Sequence, residues 1–346
     1  MQYKKLGNTD IDVSLVCLGT MTWGQQNTQE EGFEQMDYAL EQGVNFFDTA
    51  ELYSIPPKAE TQGSTETIIG NWFNKNGNRN EIILATKVAG RSGMKWFRGG
   101  ETRLNKKNIE EAIEGSLKRL QTDYIDLYQL HWPDRALNIF GGGLGLYKHY
   151  ELESIPIEET LEVLAEIVKT GKVRHIGLSN ETPWGLSEFL NISEKKSYPR
   201  VQSVQNAYNL LNRNYENGMS EFFHRSEVGL LAYSPLAQGY LSGKYLDGKL
   251  PEGSRTKLFG RGQRYETPSA ESSIRKYVNL AEQSNLDPSL MANAFVNSRD
   301  FVTSNIIGAT TMDQLRLAIE SEQTKLSDDI LEELDKIHSE CPNPCP

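Results

Sequence analysis

No stretch of the chain approaches the ~20 consecutive apolar residues that a membrane-spanning helix needs. The N-terminus, Met1-Gln2-Tyr3-Lys4-Lys5-Leu6, has no apolar segment of the kind a secretory signal carries. The expectation is therefore a cytoplasmic protein with no membrane association. Cysteine is scarce, three in 346 residues, which excludes a disulfide framework. Cys17 sits in an apolar run and reads as a packed core thiol. Cys341 and Cys345 fall in Cys-Pro-Asn-Pro-Cys-Pro, read as a short tail (341–346) of the kind that is usually poorly ordered, after a single domain over 1–340. The five histidines are scattered, with no His-Glu-x-x-His and no Cys-x-x-Cys, so no metal site is expected. Positive charge is in deficit: the net charge of −11 disfavours nucleic acid as a partner, although one local basic pocket for an anionic cofactor is compatible with it.

Phosphate-binding glycine motifs are missing too. No Gly-x-Gly-x-x-Gly follows the first strand, which argues against a Rossmann site, and there is neither a Gly-x-x-x-x-Gly-Lys-[Ser/Thr] loop nor a Gly-x-Ser-x-Gly elbow. Tyr240 and Lys244 reproduce the Tyr-x-x-x-Lys spacing of short-chain dehydrogenases, but those need the N-terminal glycine-rich turn that this chain lacks.

What the chain does have is repetition. After a hairpin pattern (Tyr3 to Leu6, Ile11 to Val13), eight short apolar runs each end in polar residues and lead into amphipathic helical sequence. The runs are Leu15 to Leu18, Val44 to Phe47, Ile82 to Ala85, Tyr124 to Leu130, Val173 to Leu178, Val201 to Val204, Gly229 to Ala232 and Val302 to Ile307. Thr28 with Glu31 predicts a capping box, Thr182-Pro183 opens a helix, and Ser327 caps the last one. Strands alternating with helices imply a parallel sheet, and eight of them predict a closed (β/α)8 TIM barrel, the open doubly wound sheet being the alternative. Three longer stretches (54–63, 134–155 and 237–269) follow strand ends and are predicted to lie over the C-terminal mouth. The second, with Phe140, Gly141-Gly142-Gly143, Tyr147 and Tyr150, reads either as a substrate-shaping lid or as a surface loop.

A barrel of this kind works at the C-terminal ends of its strands. Asp48, Lys87 and His131 each terminate a run, and Tyr53 lies just beyond one. Singly, each is as readily a cap, a rim charge or packed surface. Together they can reduce a carbonyl, which needs a hydride on carbon and a proton on oxygen. Tyr53 would donate the proton, Lys87 would ease its loss by lowering the phenol pKa, Asp48 would hold Lys87 charged, and His131 would orient the substrate oxygen.

The chain resembles the aldo-keto reductase superfamily over nearly its whole length. The resemblance rests on Gly19-Thr20-Met21-Thr22-Trp23-Gly24, Phe47-Asp48-Thr49-Ala50-Glu51-Leu52-Tyr53, Ala85-Thr86-Lys87, Asp123 to Trp132, Ile176-Gly177-Leu178-Ser179-Asn180, Tyr233-Ser234-Pro235-Leu236, Gly239 to Tyr245 and Gly308 to Leu315. It implies Asp48, Tyr53, Lys87 and His131 as catalytic, and NADPH (NADP+) as cofactor with a small carbonyl substrate. Ser179, Asn180 and Gln205 would hold the nicotinamide amide and Tyr233 would stack on its ring. Ser234, Leu236 and Lys244 would line the pyrophosphate path, while Gly308, Thr310, Gln314 and Arg255 would surround the adenosine and its 2′-phosphate. Thr20 and Pro235 complete the cofactor set. Where relatives carry Glu-Asn near the adenine, this chain has Leu317 and Ala318. Asn293 stands where an apolar helix residue is expected. Some superfamily members are instead NADPH-binding regulatory subunits of potassium channels. A phosphate-binding barrel isomerase or lyase would need no nicotinamide at all.

Overall fold

Alternate residues of a strand face opposite sides of a sheet, and here that period sorts each apolar run into two layers. The computed structural model describes residues 1–139, 147–260 and 264–345; Phe140 and Gly141-Gly142-Gly143 lie outside the described residues. Strands β1 (Tyr3–Lys5) and β2 (Asp12–Ser14) pair as an antiparallel hairpin. The next eight are β3 (Val16–Gly19), β4 (Phe46–Asp48), β5 (Ile83–Val88), β6 (Ile125–Leu130), β7 (Val173–Ser179), β8 (Val201–Ala207), β9 (Gly229–Tyr233) and β10 (Val302–Ile307). They close in chain order into a parallel barrel, β10 returning to β3. The barrel expected from the sequence is present, and the open sheet is excluded.

Inside it, Cys17, Phe46, Ala85, Leu127, Leu231 and Ile306 form one buried cluster. Leu6 and Val13 of the hairpin enter the same cluster and so cover the N-terminal end of the barrel. Asn8 of the hairpin turn takes up Gln202 Oε1 through its backbone N–H at 2.9 Å. Residues of the opposite parity, such as Phe47, Tyr128, Leu178 and Val204, belong to the larger core between barrel and helices.

That outer layer comprises α1 (Gln29–Glu41), α2 (Ser64–Asn76), α3 (Lys106–Leu120), α4 (Ile157–Lys169), α5 (Pro183–Lys196) and α6 (Glu221–Ser226). A short α7 (Arg255–Phe259) lies in the long stretch after β9, followed by α8 (Ala270–Gln283), α9 (Pro288–Asn297), α10 (Met312–Glu320) and α11 (Asp328–Glu340). Thr28 and Glu31 form the reciprocal capping box, and Thr182 and Ser327 cap α5 and α11 through their side chains. Pro156 stands at the cap position of α4.

Two sequence expectations change. Asn293 is buried because it belongs to a polar ladder: its Nδ2 donates to Ser289 O at 2.9 Å, and Asn305 Nδ2 of β10 donates to both Asn293 Oδ1 (3.2 Å) and Asn297 Oδ1 (3.0 Å). The C-terminal segment is not loose either. Cys345 is buried, its N–H donates to Leu211 O at 3.2 Å, and Asn343 Oδ1 accepts from Arg213 N at 2.6 Å. Thr267 Oγ1 closes the contact on Pro344 O at 2.6 Å. The tail holds because it satisfies backbone polar groups of the β8–α6 connection and accepts a side-chain hydrogen bond from the stretch after β9.

Candidate active site

Two residues further along β4, β5 and β6 from the apolar interior cluster, the inward positions turn polar. Phe46 is succeeded by Asp48, Ala85 by Lys87, and Leu127 by Gln129 and then by His131 just past the strand. Register keeps them level, with Lys87 opposite Gln129 and Ser179 opposite Gln205. Gly177, the β7 partner of Gln129, has no room for a side chain: a Cβ there would lie 2.9 Å from Ser203 Oγ and 3.2 Å from Gln129 Cγ.

Lys87 Nζ is wholly buried and donates to Asp48 Oδ2 at 2.6 Å, to Thr49 O at 2.8 Å and to Tyr53 Oη at 3.3 Å. The other Asp48 oxygen, Oδ1, accepts from Gln205 Nε2 at 2.8 Å and Gln129 Nε2 at 3.1 Å. The ring of His131 meets that of Tyr53 edge-on, with centroids 5.5 Å apart. Sequence positions 48, 53, 87 and 131 are thus one cluster. Its carboxylate is fully hydrogen-bonded, as a buried charge requires.

The electrostatics follow from burial. Burial disfavours the Lys87 ammonium, but Asp48, Tyr53 and the hydrogen bonds to both outweigh it and hold the amine above its ordinary pKa. Burial pushes the Tyr53 phenol up, and the Lys87 ammonium, pulling the other way, offsets only part of that. This is opposite to the lowered phenol expected from the sequence, because desolvation of the phenolate outweighs the pull of Lys87. Burial, reinforced by Lys87, holds His131 well below its ordinary value, so its ring is neutral at pH 7. His131 Nδ1 has no hydrogen-bond partner among the described residues.

The residues expected around a nicotinamide are joined to this cluster. Ser179 Oγ donates to Gln205 O at 2.8 Å, and Asn180 Nδ2 donates to His131 O at 2.9 Å. Tyr233 Oη donates to Asn180 Oδ1 at 2.7 Å, and Thr20 Oγ1 donates to Asp48 O at 2.9 Å. Asn180 and Ser234 both take left-handed backbone conformations at their strand ends (φ 53° and 57°), a costly geometry that tends to gather at functional sites. Pro235 and Leu236 follow in the turn that Ala237 N closes on Ser234 O at 2.9 Å.

The outer group is less connected. Gly308 is exposed, and Gln314 Oε1 accepts from Thr310 N at 3.0 Å and Thr310 Oγ1 at 3.2 Å. Lys244 Nζ lies 5.2 Å from the Tyr245 ring centroid. Arg255 is half-buried, without a hydrogen bond or ion pair among the described residues, and burial lowers its pKa. Among the described residues no hydrogen bond or ion pair joins Lys244 or Arg255 to Gly308, Thr310 or Gln314. Leu317 is half-buried and Ala318 buried on α10.

Sequence reasoning missed four participants. Gln129 shares the inward parity of His131 and was findable by counting in twos. The buried pair Glu51 and Arg98, 2.5 Å apart, and Arg264, which donates to Tyr233 Oη at 3.0 Å, come together only through the fold. Among the described residues no helix is long and apolar enough to cross a membrane.

Comparison with known proteins agrees with this geometry. The model of the aldo/keto reductase family matches residues 15–339. The chain is similar to the protein tas of Escherichia coli, 46% identical over 348 residues and the full length of both. It is also similar to an aldo-keto reductase of Babesia bovis, 40% identical over 274 residues (75% of this chain, 96% of the relative). A third relative is the uncharacterized oxidoreductase YrpG of Bacillus subtilis, 35% identical over 343 residues (97% of this chain, 96% of the relative).

Proposed function

The chain belongs to the aldo/keto reductase family of oxidoreductases, and from that premise we propose that it reduces aldehydes or ketones to alcohols with NADPH, Tyr53 giving the proton. The observation that carries this reading is the continuous chain Asp48–Lys87–Tyr53 with a neutral His131 beside it. When bound, the reduced nicotinamide supplies a hydride to the carbonyl carbon. Tyr53 gives its proton to the carbonyl oxygen, and Lys87 stabilises the phenolate left behind. Asp48 keeps Lys87 charged in a dry site where an unpaired ammonium would lose its proton. His131, being neutral, orients the carbonyl oxygen without competing as an acid. The reading treats residues 1–340 as one catalytic unit acting in the cytoplasm.

The cofactor assignment fits the donors present. Ser179, Asn180 and Gln205 would hold the carboxamide, and Tyr233 would offer its ring face. A half-buried guanidinium with no ion pair among the described residues, Arg255, is what a 2′-phosphate dianion needs in a chain of net charge −11. Lys244 would serve the pyrophosphate, with Thr20, Ser234, Pro235 and Leu236 along the path and Gly308, Thr310 and Gln314 at the adenosine.

The test is Tyr53→Phe. Fluorescence titration should give an NADPH affinity close to that of the parent, while kcat/KM for 4-nitrobenzaldehyde falls by about 10²–10⁴. Unchanged turnover would remove Tyr53 from the role. Tight NADPH binding by the parent with no turnover across a carbonyl panel would favour a cofactor-binding regulatory protein instead.

A further inference from the structure

Asp48 dictates how its neighbours face. A buried carboxylate only accepts, so each glutamine amide that meets it must turn its nitrogen inward. Gln129 Nε2 donates to Asp48 Oδ1 at 3.1 Å, and Gln205 Nε2 donates to the same oxygen at 2.8 Å. Gln129 Oε1 is thereby left to a different donor, and it accepts from Gln205 Nε2 at 3.2 Å. Both N–H groups of the Gln205 amide are then engaged, one on Asp48 and one on Gln129. Its carbonyl oxygen, Oε1, accepts no hydrogen bond among the described residues.

This bridge depends on a missing side chain. Gln129 is wholly buried on β6, and its β7 partner is Gly177. A Cβ at Gly177 would lie 3.2 Å from Gln129 Cγ, so a side chain there would crowd the glutamine. With glycine in that place, Gln129 reaches across β7 to Gln205 on β8.

Resting on the reductase reading, we propose that Gln129 is a positioning residue for the cofactor. It acts through Gln205, fixing that amide so that Oε1 remains as an acceptor for the amino group of the nicotinamide carboxamide. A Gln205 held by Asp48 alone could still swing about a single oxygen. The second bond removes the swing, so less ordering is left for cofactor binding to impose.

The test compares NADPH with its reduced 3-acetylpyridine analogue, in which a methyl group replaces the carboxamide amino group. Binding to the whole chain is followed by quenching of tryptophan fluorescence. The parent should bind NADPH about tenfold more tightly, the effect of one hydrogen bond left unmade. Gln129→Met keeps the length of the side chain but makes neither bond. It should lower that preference at least about threefold, through weaker binding of NADPH and not tighter binding of the analogue. In a Gln205→Met background the same substitution should shift the NADPH Kd by less than about twofold, because no amide remains for it to hold. Equal parent affinity for the two cofactors overturns the inference, and that measurement needs no variant. An equal loss for both cofactors in Gln129→Met also overturns it, since that is what a merely structural part would give. Either result leaves the reductase reading intact. Failure of the parent to bind NADPH overturns that reading and this inference with it.

Discussion

Lys87 is the residue on which the site's electrostatics turn. Replacing it with Met leaves Asp48 buried beside two glutamine amides with no counter-charge, and breaking a buried pair in this way costs about 3–5 kcal/mol. Lys87→Met should therefore lower the thermal midpoint as well as abolish turnover, as calorimetry and an activity assay would show. A stable but inactive variant would separate the fold from the charge network. The pH profile is set by the same groups. On the proposed reading, reduction needs Tyr53 protonated and Lys87 charged, and both are held above their ordinary values. kcat/KM for a neutral aldehyde should therefore stay level through pH 9 and fall only above the ordinary tyrosine value of ~10. On the acid side, His131 is held well below ~6.5, so no break is expected there. An acid limb centred near that value would show an imidazole titrating as if exposed.

At the scale of elements, the connection after β5 deserves a direct probe. Glu51 ties three pieces of chain: its Oε1 accepts from Ala89 N at 2.8 Å, its Oε2 from Arg98 Nη1 at 2.5 Å, and its backbone N–H donates to Lys87 O at 3.2 Å. Arg98 continues to Asn108 Oδ1 of α3 at 3.0 Å. Arg98→Met leaves the Glu51 carboxylate half-satisfied, and should cost about 2–4 kcal/mol. Because Met94 and Phe97 of that connection, part of the apolar cluster around Tyr53, loosen while Ser179, Asn180 and Gln205 are untouched, KM for the aldehyde should rise with NADPH affinity unchanged. A matching loss of NADPH affinity would mean that the damage spreads across the barrel.

Legibility divides along the same lines. The eight strands could be read because their apolar runs are short and bounded by turn residues. The site residues could be read because they follow those runs with an inward parity. The strands extend past the apolar runs where the sequence turns polar, as at Thr86-Lys87 in β5 and Gln205-Asn206 in β8, since pairing in the barrel continues through polar side chains. Glu51 with Arg98 and Arg264 with Tyr233 are separated by 47 and 31 positions, and no local pattern announces such partners. The direction of the Tyr53 shift was also out of reach, because burial is a property of the assembled pocket.

For the molecule as a whole, the three thiols differ in a way that mass spectrometry can read. Cys17 is sealed inside the barrel, where burial and Asp48 raise its pKa well above the usual range. Cys345 is buried by the packed tail and pushed up to about 11, while Cys341 is half-buried. The native protein should therefore take up one alkyl group, at Cys341, and the other two only on unfolding. Early labelling of Cys345 would mean that the tail contacts to Leu211 and Thr267 open readily.

The hairpin has a kinetic corollary. With Leu6 and Val13 packed at the far end of a filled interior, the proposed reactants are expected to enter and leave at the C-terminal mouth. Of the groups assigned to the nicotinamide, Gln205 bonds directly to Asp48 in the buried interior layer, whereas Met94 and Trp132, packed against the Tyr53 cluster, are half-buried. On the proposed reading, the nucleotide is expected to bind first and leave last. NADP+ should compete with NADPH but act as a noncompetitive inhibitor toward the aldehyde.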